Sequence, residues 1–371
     1  MEMLKGERVL DLTRLLPGPY CTWILSRFGA DVLKIEDPGY DDYSRSTSLY
    51  DLINAGKKSM TLNLKNGSGR EIFLDLVSRS DVLVESFRPG VMKRLGLGYE
   101  TLKEHNEKII FCSISGYGQN GPYRDIPGHD INYMSISGLL GVNRTKESPV
   151  IPTMQIADIG GGMFGALSIL ASLYRREING RGEYIDVSMT DVVNSLFNIE
   201  YFGVIGGDEE GVLEGKKTFL TGLFPCYNIY KTKDDKFVSL GALETKFWSN
   251  FCMGLSREDL IQKQYDTSVI KELKKIFSEK TREEWIEIFK EADALITPIY
   301  SPEEVFNDPQ VINREVFDRE RKILNLPVKF LETTMDEVGK APEMGESTHE
   351  ILAELGYEEK GIEDLRKRGA V

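Results

Sequence analysis

Short β-rich runs alternate with helix-spaced runs through the first 200 residues, and this alternation constrains the fold more than any other feature of the chain. Residues 8–12 (RVLDL), 31–35 (DVLKI), 60–64 (MTLNL), 81–84, 109–113 and 183–187 read as strands. Between them, residues 20–28, closed by Gly29, read as a helix. So do 67–79, with Ile72, Phe73, Leu76 and Val77 spaced for one buried face, 160–176, and 190–197. Strand–helix–strand units place parallel strands in one sheet with helices on its faces, so the predicted class is α/β.

The texture changes after residue 202. Residues 203–215 hold five glycines in thirteen positions, which reads as a crossing between domains. A hairpin is expected over 227–240, folded about residues 233–235, followed by amphipathic helices such as 283–291. A short helix over 348–355 has Ser347 or Thr348 as its cap and Gly356 as its stop. The expected segments are therefore 1–200, a linker at 201–224, a smaller domain at 225–310, and a C-terminal segment at 311–371.

Composition narrows the function classes. The chain has 371 residues, with 46 Lys+Arg against 59 Asp+Glu and a net charge of −13. A general nucleic-acid binder needs a basic face, so that class is disfavoured. The longest apolar run, near residues 164–173, is about ten residues against the roughly 20 a membrane span needs. No signal-peptide core occupies the first ten residues, and residues 366–371 are no peroxisomal address. Cys21, Cys112, Cys226 and Cys252 lie far apart with no histidine at ligand spacing. The expectation is a soluble, cytoplasmic protein with no metal, no membrane partner and no nucleic-acid partner.

Several familiar sites are missing: no GxGxxG follows the first strand, and there is no GxxxxGK[ST] or GxSxG. The informative histidine is His129, in Gly128-His129-Asp130-Ile131-Asn132-Tyr133. It reads either as a structural histidine or as an acid–base group with its tautomer fixed by its neighbours. Asp158, before Gly160-Gly161-Gly162, reads either as a simple N-cap or as a carboxylate held where glycines let a ligand approach. The same glycines also suit tight helix packing. Glu244 follows a strand of the second unit, where charges are usually solvated. Lys34, Lys57, Lys58, Arg88 and Arg94 fall at strand ends or in the loops after them, where open α/β sheets bind ligands. Such a group suits a polyphosphate; a scattered solvated surface is the plainer alternative.

Taken together, these stretches resemble the family III CoA-transferase superfamily, which includes the α-methylacyl-CoA racemases. The resemblance is carried by Leu16-Pro17-Gly18-Pro19-Tyr20, by Phe28-Gly29-Ala30-Asp31-Val32-Leu33-Lys34-Ile35-Glu36, by Asn54-Ala55-Gly56-Lys57-Lys58-Ser59 and by Glu85-Ser86-Phe87-Arg88-Pro89-Gly90. Gly116-Tyr117-Gly118, the His129 segment, Ala157-Asp158 and Gly182-Glu183-Tyr184-Ile185-Asp186-Val187 extend it from about residue 4 to at least 310. It implies a Rossmann-like large domain built from both chain ends, with residues 311–371 as a linker and a return to it, a smaller α+β domain, and an interlocked homodimer. It implies a CoA thioester as substrate, with no further cofactor. Lys57, Arg88 and Arg94 would hold its adenosine phosphates, and Lys34, Asn54, Asp130 and Tyr133 would complete the CoA site. One departure is Asp37, where family members often carry Arg after the Lys-Ile-Glu strand; Lys34 or Lys57 is the expected substitute.

The resemblance offers two chemistries. In the transferases, the aspartate matching Asp158 attacks the thioester and forms an aspartyl-CoA intermediate. In the racemases it is one of two proton-transfer bases. The other is a histidine in the Gly-His-Asp-x-Asn-Tyr context, supported by a glutamate of the small domain. His129 and Glu244 match that pair, so the expected activity is racemisation of 2-methylacyl-CoA by 1,1-proton transfer. Backbone N–H groups around the Gly160 helix start are the expected support for the enolate oxygen. CoA transfer through Asp158 is the alternative, and a non-catalytic acyl-CoA-binding subunit is the reading from outside enzymology.

Overall fold

Six strands form one all-parallel sheet in the computed structural model, which describes residues 3–39, 42–145, 147–196, 219–320, 323–333 and 338–371. The strands are β1 (Arg8–Asp11), β2 (Asp31–Glu36), β3 (Lys58–Thr61), β4 (Val82–Glu85), β5 (Ile110–Ser115) and β6 (Glu183–Ser188), in spatial order β3-β2-β1-β4-β5-β6. Helices between them include α1 (Pro17–Arg27), α2 (Ser48–Asn54), α3 (Gly67–Ser78), α4 (Asp130–Ile136) and α5 (Ile156–Asn179), and α6 (Met189–Leu196) follows the last strand. The direction of winding reverses between β1 and β4, so the crevice at their carboxyl ends is where such a sheet receives a ligand.

Period-two alternation along the strands builds two cores. Leu10, Leu33, Leu83 and Phe111 pack on one face against Ile72, Phe73, Leu76 and Val77 of α3. Val9, Val32, Val82, Val84, Ile110 and Cys112 pack on the other against Cys21 and Leu25 of α1 and Ala166, Ile169 and Leu173 of α5. Strands buried on both faces read as continuous apolar runs, which is why they were legible without alternation of polarity.

The chain divides into two units, Met1–Asn143 with Pro149–Asn198 and Glu315–Val371, and Arg144–Ser148 with Ile199–Arg314. The returning segment supplies α10 (Thr348–Glu354) and α11 (Glu359–Lys367), whose Ile351, Leu352, Ile362 and Leu365 join the α3 side of the first core. The second unit carries β7 (Tyr227–Lys231), β8 (Phe237–Gly241) and β9 (Ile296–Ile299) in an antiparallel sheet. Asp235, at φ +60°, turns the hairpin. Helices α7 (Thr245–Gly254), α8 (Val269–Phe277) and α9 (Arg282–Phe289) bring Trp248, Phe251, Phe277, Trp285 and Phe289 to its core. The inclusion of residues 144–148 in this unit had no sequence signal, and most of the expected linker, residues 201–218, lies outside the described residues.

Helix α5 corrects two expectations. It opens at Ile156, four residues before the glycines, and runs for 24 residues, long and apolar enough by length and composition alone to cross a membrane. Its buried side packs on α1 and β5. A Cβ on Gly162 would lie 2.5 Å from the Pro17 carbonyl oxygen, and one on Gly165 would lie 3.1 Å from Cys21 Sγ. The glycines therefore serve helix packing, the alternative reading, rather than ligand approach.

Candidate active site

Two of the expected phosphate ligands are core groups. Lys34 Nζ is buried and donates to the Thr13 carbonyl at 2.6 Å. Lys57 Nζ is fully enclosed and donates to Asp11 Oδ2 (3.1 Å), the Pro19 carbonyl (3.0 Å), Thr22 Oγ1 (2.8 Å) and Asn54 Oδ1 (2.9 Å). Asn54 is itself buried, its amide nitrogen bonded to the Tyr50 carbonyl. Burial alone would push the Asp11 carboxyl up, but Lys57, Lys34 and the Thr13 and Thr22 hydroxyls hold it well below the usual carboxylate range. Lys34, Asn54 and Lys57 are thus corrected from CoA ligands to members of a buried ion network. Lys58 sits at the amino end of β3 beside Asp31 (3.5 Å), at the edge opposite the crevice.

The carboxyl ends of β1, β2 and β4 instead open onto a cavity of about 490 Å³. Leu12, Ile35, Leu62 and Leu64 supply its apolar wall, and Arg14, Lys65 and Arg88 its cations. Arg14 holds its guanidinium 5.9 Å from the Phe87 ring centre. The Glu85 carboxylate accepts the Phe87 amide at 2.7 Å, which shapes the turn that presents Arg88. Burial pushes Glu85 up to about 7, with Asp186 acting in the same direction and Ser113 and that amide opposing. Arg94 lies one turn on, where its guanidinium and that of Arg124 flank Gly90. Arg14 and Lys65 were absent from the expected site. Arg14 stands in the loop just after β1, so the strand-end rule applied to every strand would have found it.

A second cluster assembles where the amino ends of α4 and α5 meet. His129 occupies the N-cap of α4 and is exposed, and its backbone N–H donates to Asn132 Oδ1 at 3.0 Å. The next residue, Asp130, is buried, and its Oδ1 accepts the amides of Ala157 (2.8 Å) and Asp158 (3.1 Å). Asp130 thereby caps α5, whose own N-cap, Gln155, makes no side-chain bond. The chain neighbour of His129 thus bonds the backbone amide of Asp158. Asp158 lies in the first turn rather than at the cap position, and burial, followed by the Asp130 charge, pushes its carboxyl up to about 7. The hydroxyl of buried Tyr133 donates to the Gly128 carbonyl, and the ring packs edge-on against Tyr117 at 5.2 Å. Burial pushes that phenol up to about 12, with the Asp158 charge adding to it and Arg88 opposing. Arg88 therefore acts on both the cavity and this cluster.

Several expected roles change on this geometry. Asp130 and Tyr133 are buried, their side chains bonded to the α5 amides and to the Gly128 carbonyl. The Ala157 and Asp158 amides are taken by Asp130, and the Ile159 amide bonds to the Gln155 carbonyl, so the α5 start offers none of these three to an enolate oxygen. Glu244 belongs to the second unit, exposed at the N-cap of α7. The start of α1 carries Pro17 and Pro19, which lack the amides that a dinucleotide pyrophosphate would need there.

Comparison with known proteins places this geometry in context. Residues 4–348 match CoA-transferase family III. The human α-methylacyl-CoA racemase is 35% identical over 98% of this chain and 96% of its own length. The human succinyl-CoA:glutarate CoA-transferase is 32% identical over 99% of this chain and 90% of its own. A hypothetical protein of Mycobacterium tuberculosis, 26% identical, superposes with a TM-score of 0.84 over 95% of this chain and 99% of its own. A CaiB/BaiF family protein of Brucella suis, 23% identical, shares the fold at 0.85 over 95% and 99%.

Proposed function

Because this chain belongs to CoA-transferase family III, we propose that it racemises 2-methylacyl-CoA thioesters, moving the α-proton between His129 and Asp158. The observation that carries the reading is the Asp130 bridge, which ties the residue after His129 to the amide of an Asp158 whose carboxyl titrates near 7. A hydrogen beside a thioester is weakly acidic, so its removal needs a base on one face and a proton donor on the other. A carboxyl balanced near neutrality fills either role, whereas a nucleophile for CoA transfer works best fully ionised. Imidazole is the side chain suited to the complementary role at the same pH. Arg88, shared with the cavity, supports a carrier whose phosphates lie at the strand ends and whose acyl end reaches this cluster. Glu244 enters on the resemblance alone, as the group that supports the imidazole.

Chiral analysis of (2R)- and (2S)-2-methylacyl-CoA after separate incubation with the protein tests the reading. Both samples are expected to converge on the same mixture with no acid added. Enantiomers that persist unchanged, while an added carboxylic acid takes up CoA, would favour transfer through Asp158.

A further inference from the structure

We propose that Asp42 is a positioning residue for the carrier site: by bonding the Leu15 amide it locks a left-handed turn that aims Arg14 into the cavity at the carboxyl ends of β1, β2 and β4. The inference rests on the CoA-thioester reading above and names a residue that serves it at one remove. Leu15 stands at φ +64°. That backbone disfavours any residue with a Cβ, so a leucine holds it only where neighbouring bonds enforce it, and such residues gather at functional sites. The enforcing bond comes from Asp42, whose Oδ2 accepts the Leu15 amide at 3.2 Å and whose Oδ1 accepts the Ser44 amide at 3.0 Å. Asp42 caps a 3₁₀ turn (Tyr43–Ser46), and Arg45 fixes that turn to the end of β2, its Nε donating to Glu36 Oε1 at 3.1 Å.

Arg14 is held on its other side as well. The Thr13 amide donates to Asp11 Oδ1 at 2.9 Å, and the Thr13 carbonyl accepts Lys34 Nζ at 2.6 Å. With the backbone bonded before and after it, Arg14 enters the cavity from a fixed base. The α1 start explains the need for this. Pro17 and Pro19 carry no amide for an anion, so positive charge after β1 has to come from a side chain. Asp42 lines the same cavity, where an acid among cations would oppose a phosphate. It is only 5% exposed, and each of its oxygens accepts a backbone amide, which suits a clamp rather than a ligand contact.

Titration calorimetry of CoA against the full-length wild type, Asp42→Ala, Arg14→Ala and the double variant tests the inference. Asp42→Ala is expected to weaken CoA binding about tenfold, close to the loss in Arg14→Ala, and to add less than about twofold in the Arg14→Ala background. The direction is itself diagnostic, because a charge that merely lined the cavity would tighten CoA binding on its removal. Asp42→Asn keeps one of the two amide bonds and serves the same cycle where Asp42→Ala does not fold. Its expected loss is about threefold, again confined to proteins that carry Arg14. Asp42 variants that bind CoA as tightly as wild type or tighter, an equal loss with and without Arg14, or an unchanged affinity in Arg14→Ala would each overturn the inference and leave the CoA reading intact. A wild type that binds no CoA would overturn that reading, and this inference with it.

Discussion

Asp158→Asn is expected to lose turnover by on the order of 10³-fold and, at pH 8, to unfold at a higher temperature than wild type. The two effects share one cause. Burial, then the neighbouring Asp130 charge, raises the Asp158 carboxyl from its ordinary 3.8 to about 7. Between those values the folded protein holds a proton that the unfolded chain releases, so this group's contribution to stability falls as pH rises through 7. At pH 8 the ionised carboxylate costs the fold about 2 kcal/mol, after allowance for its partial access to solvent. The amide is neutral at every pH and keeps the shape, so its advantage is expected to vanish below about pH 4, where the wild-type carboxyl is protonated in both states. Thermal melts of both proteins across pH 4–8, with turnover at pH 7, separate this account from a purely structural Asp158. A structural carboxylate would give an asparagine variant that melts lower at pH 8.

Lys57→Met is expected to destabilise the protein by about 3–5 kcal/mol, because it strips a fully buried carboxylate of its contact partner. The lysine ties four groups from β1, α1 and α2 to the residue just before β3. Asp11→Asn added to Lys57→Met is expected to recover part of the loss by removing the orphaned charge. Denaturant titration of the two variants measures both effects. If Lys57 were instead a phosphate ligand, Lys57→Met would keep its midpoint and lose CoA affinity, and the second change would recover nothing.

The sheet was legible because its strands are short apolar runs bounded by turn residues, and because α3 presents Ile72, Phe73, Leu76 and Val77 at helical spacing. His129 and Asp158 were paired on the resemblance, and each stands at or beside a helix start. The bond between their two segments was not legible. It runs from Asp130 to amides 27 and 28 residues away, and capping from a distant segment leaves no local pattern. The lysines misled for a related reason. A cation next to a strand end reads as solvated or ligand-binding, and only the packed chain reveals that the carboxylate and carbonyls around Lys57 enclose it. Asp37 was noticed as a departure, but its partner Lys65 stands 28 positions on and becomes visible only when β2 and the loop after β3 lie side by side.

The most direct test of proton transfer is isotope exchange at the α-carbon. Incubated in heavy water with a 2-methylacyl-CoA and no acceptor acid, the wild-type protein is expected to place one deuterium at C2 in step with inversion, and His129→Ala is expected to suppress it on the order of 10³-fold. A substrate recovered without deuterium after many enzyme equivalents of incubation, or undiminished exchange in His129→Ala, would contradict the account.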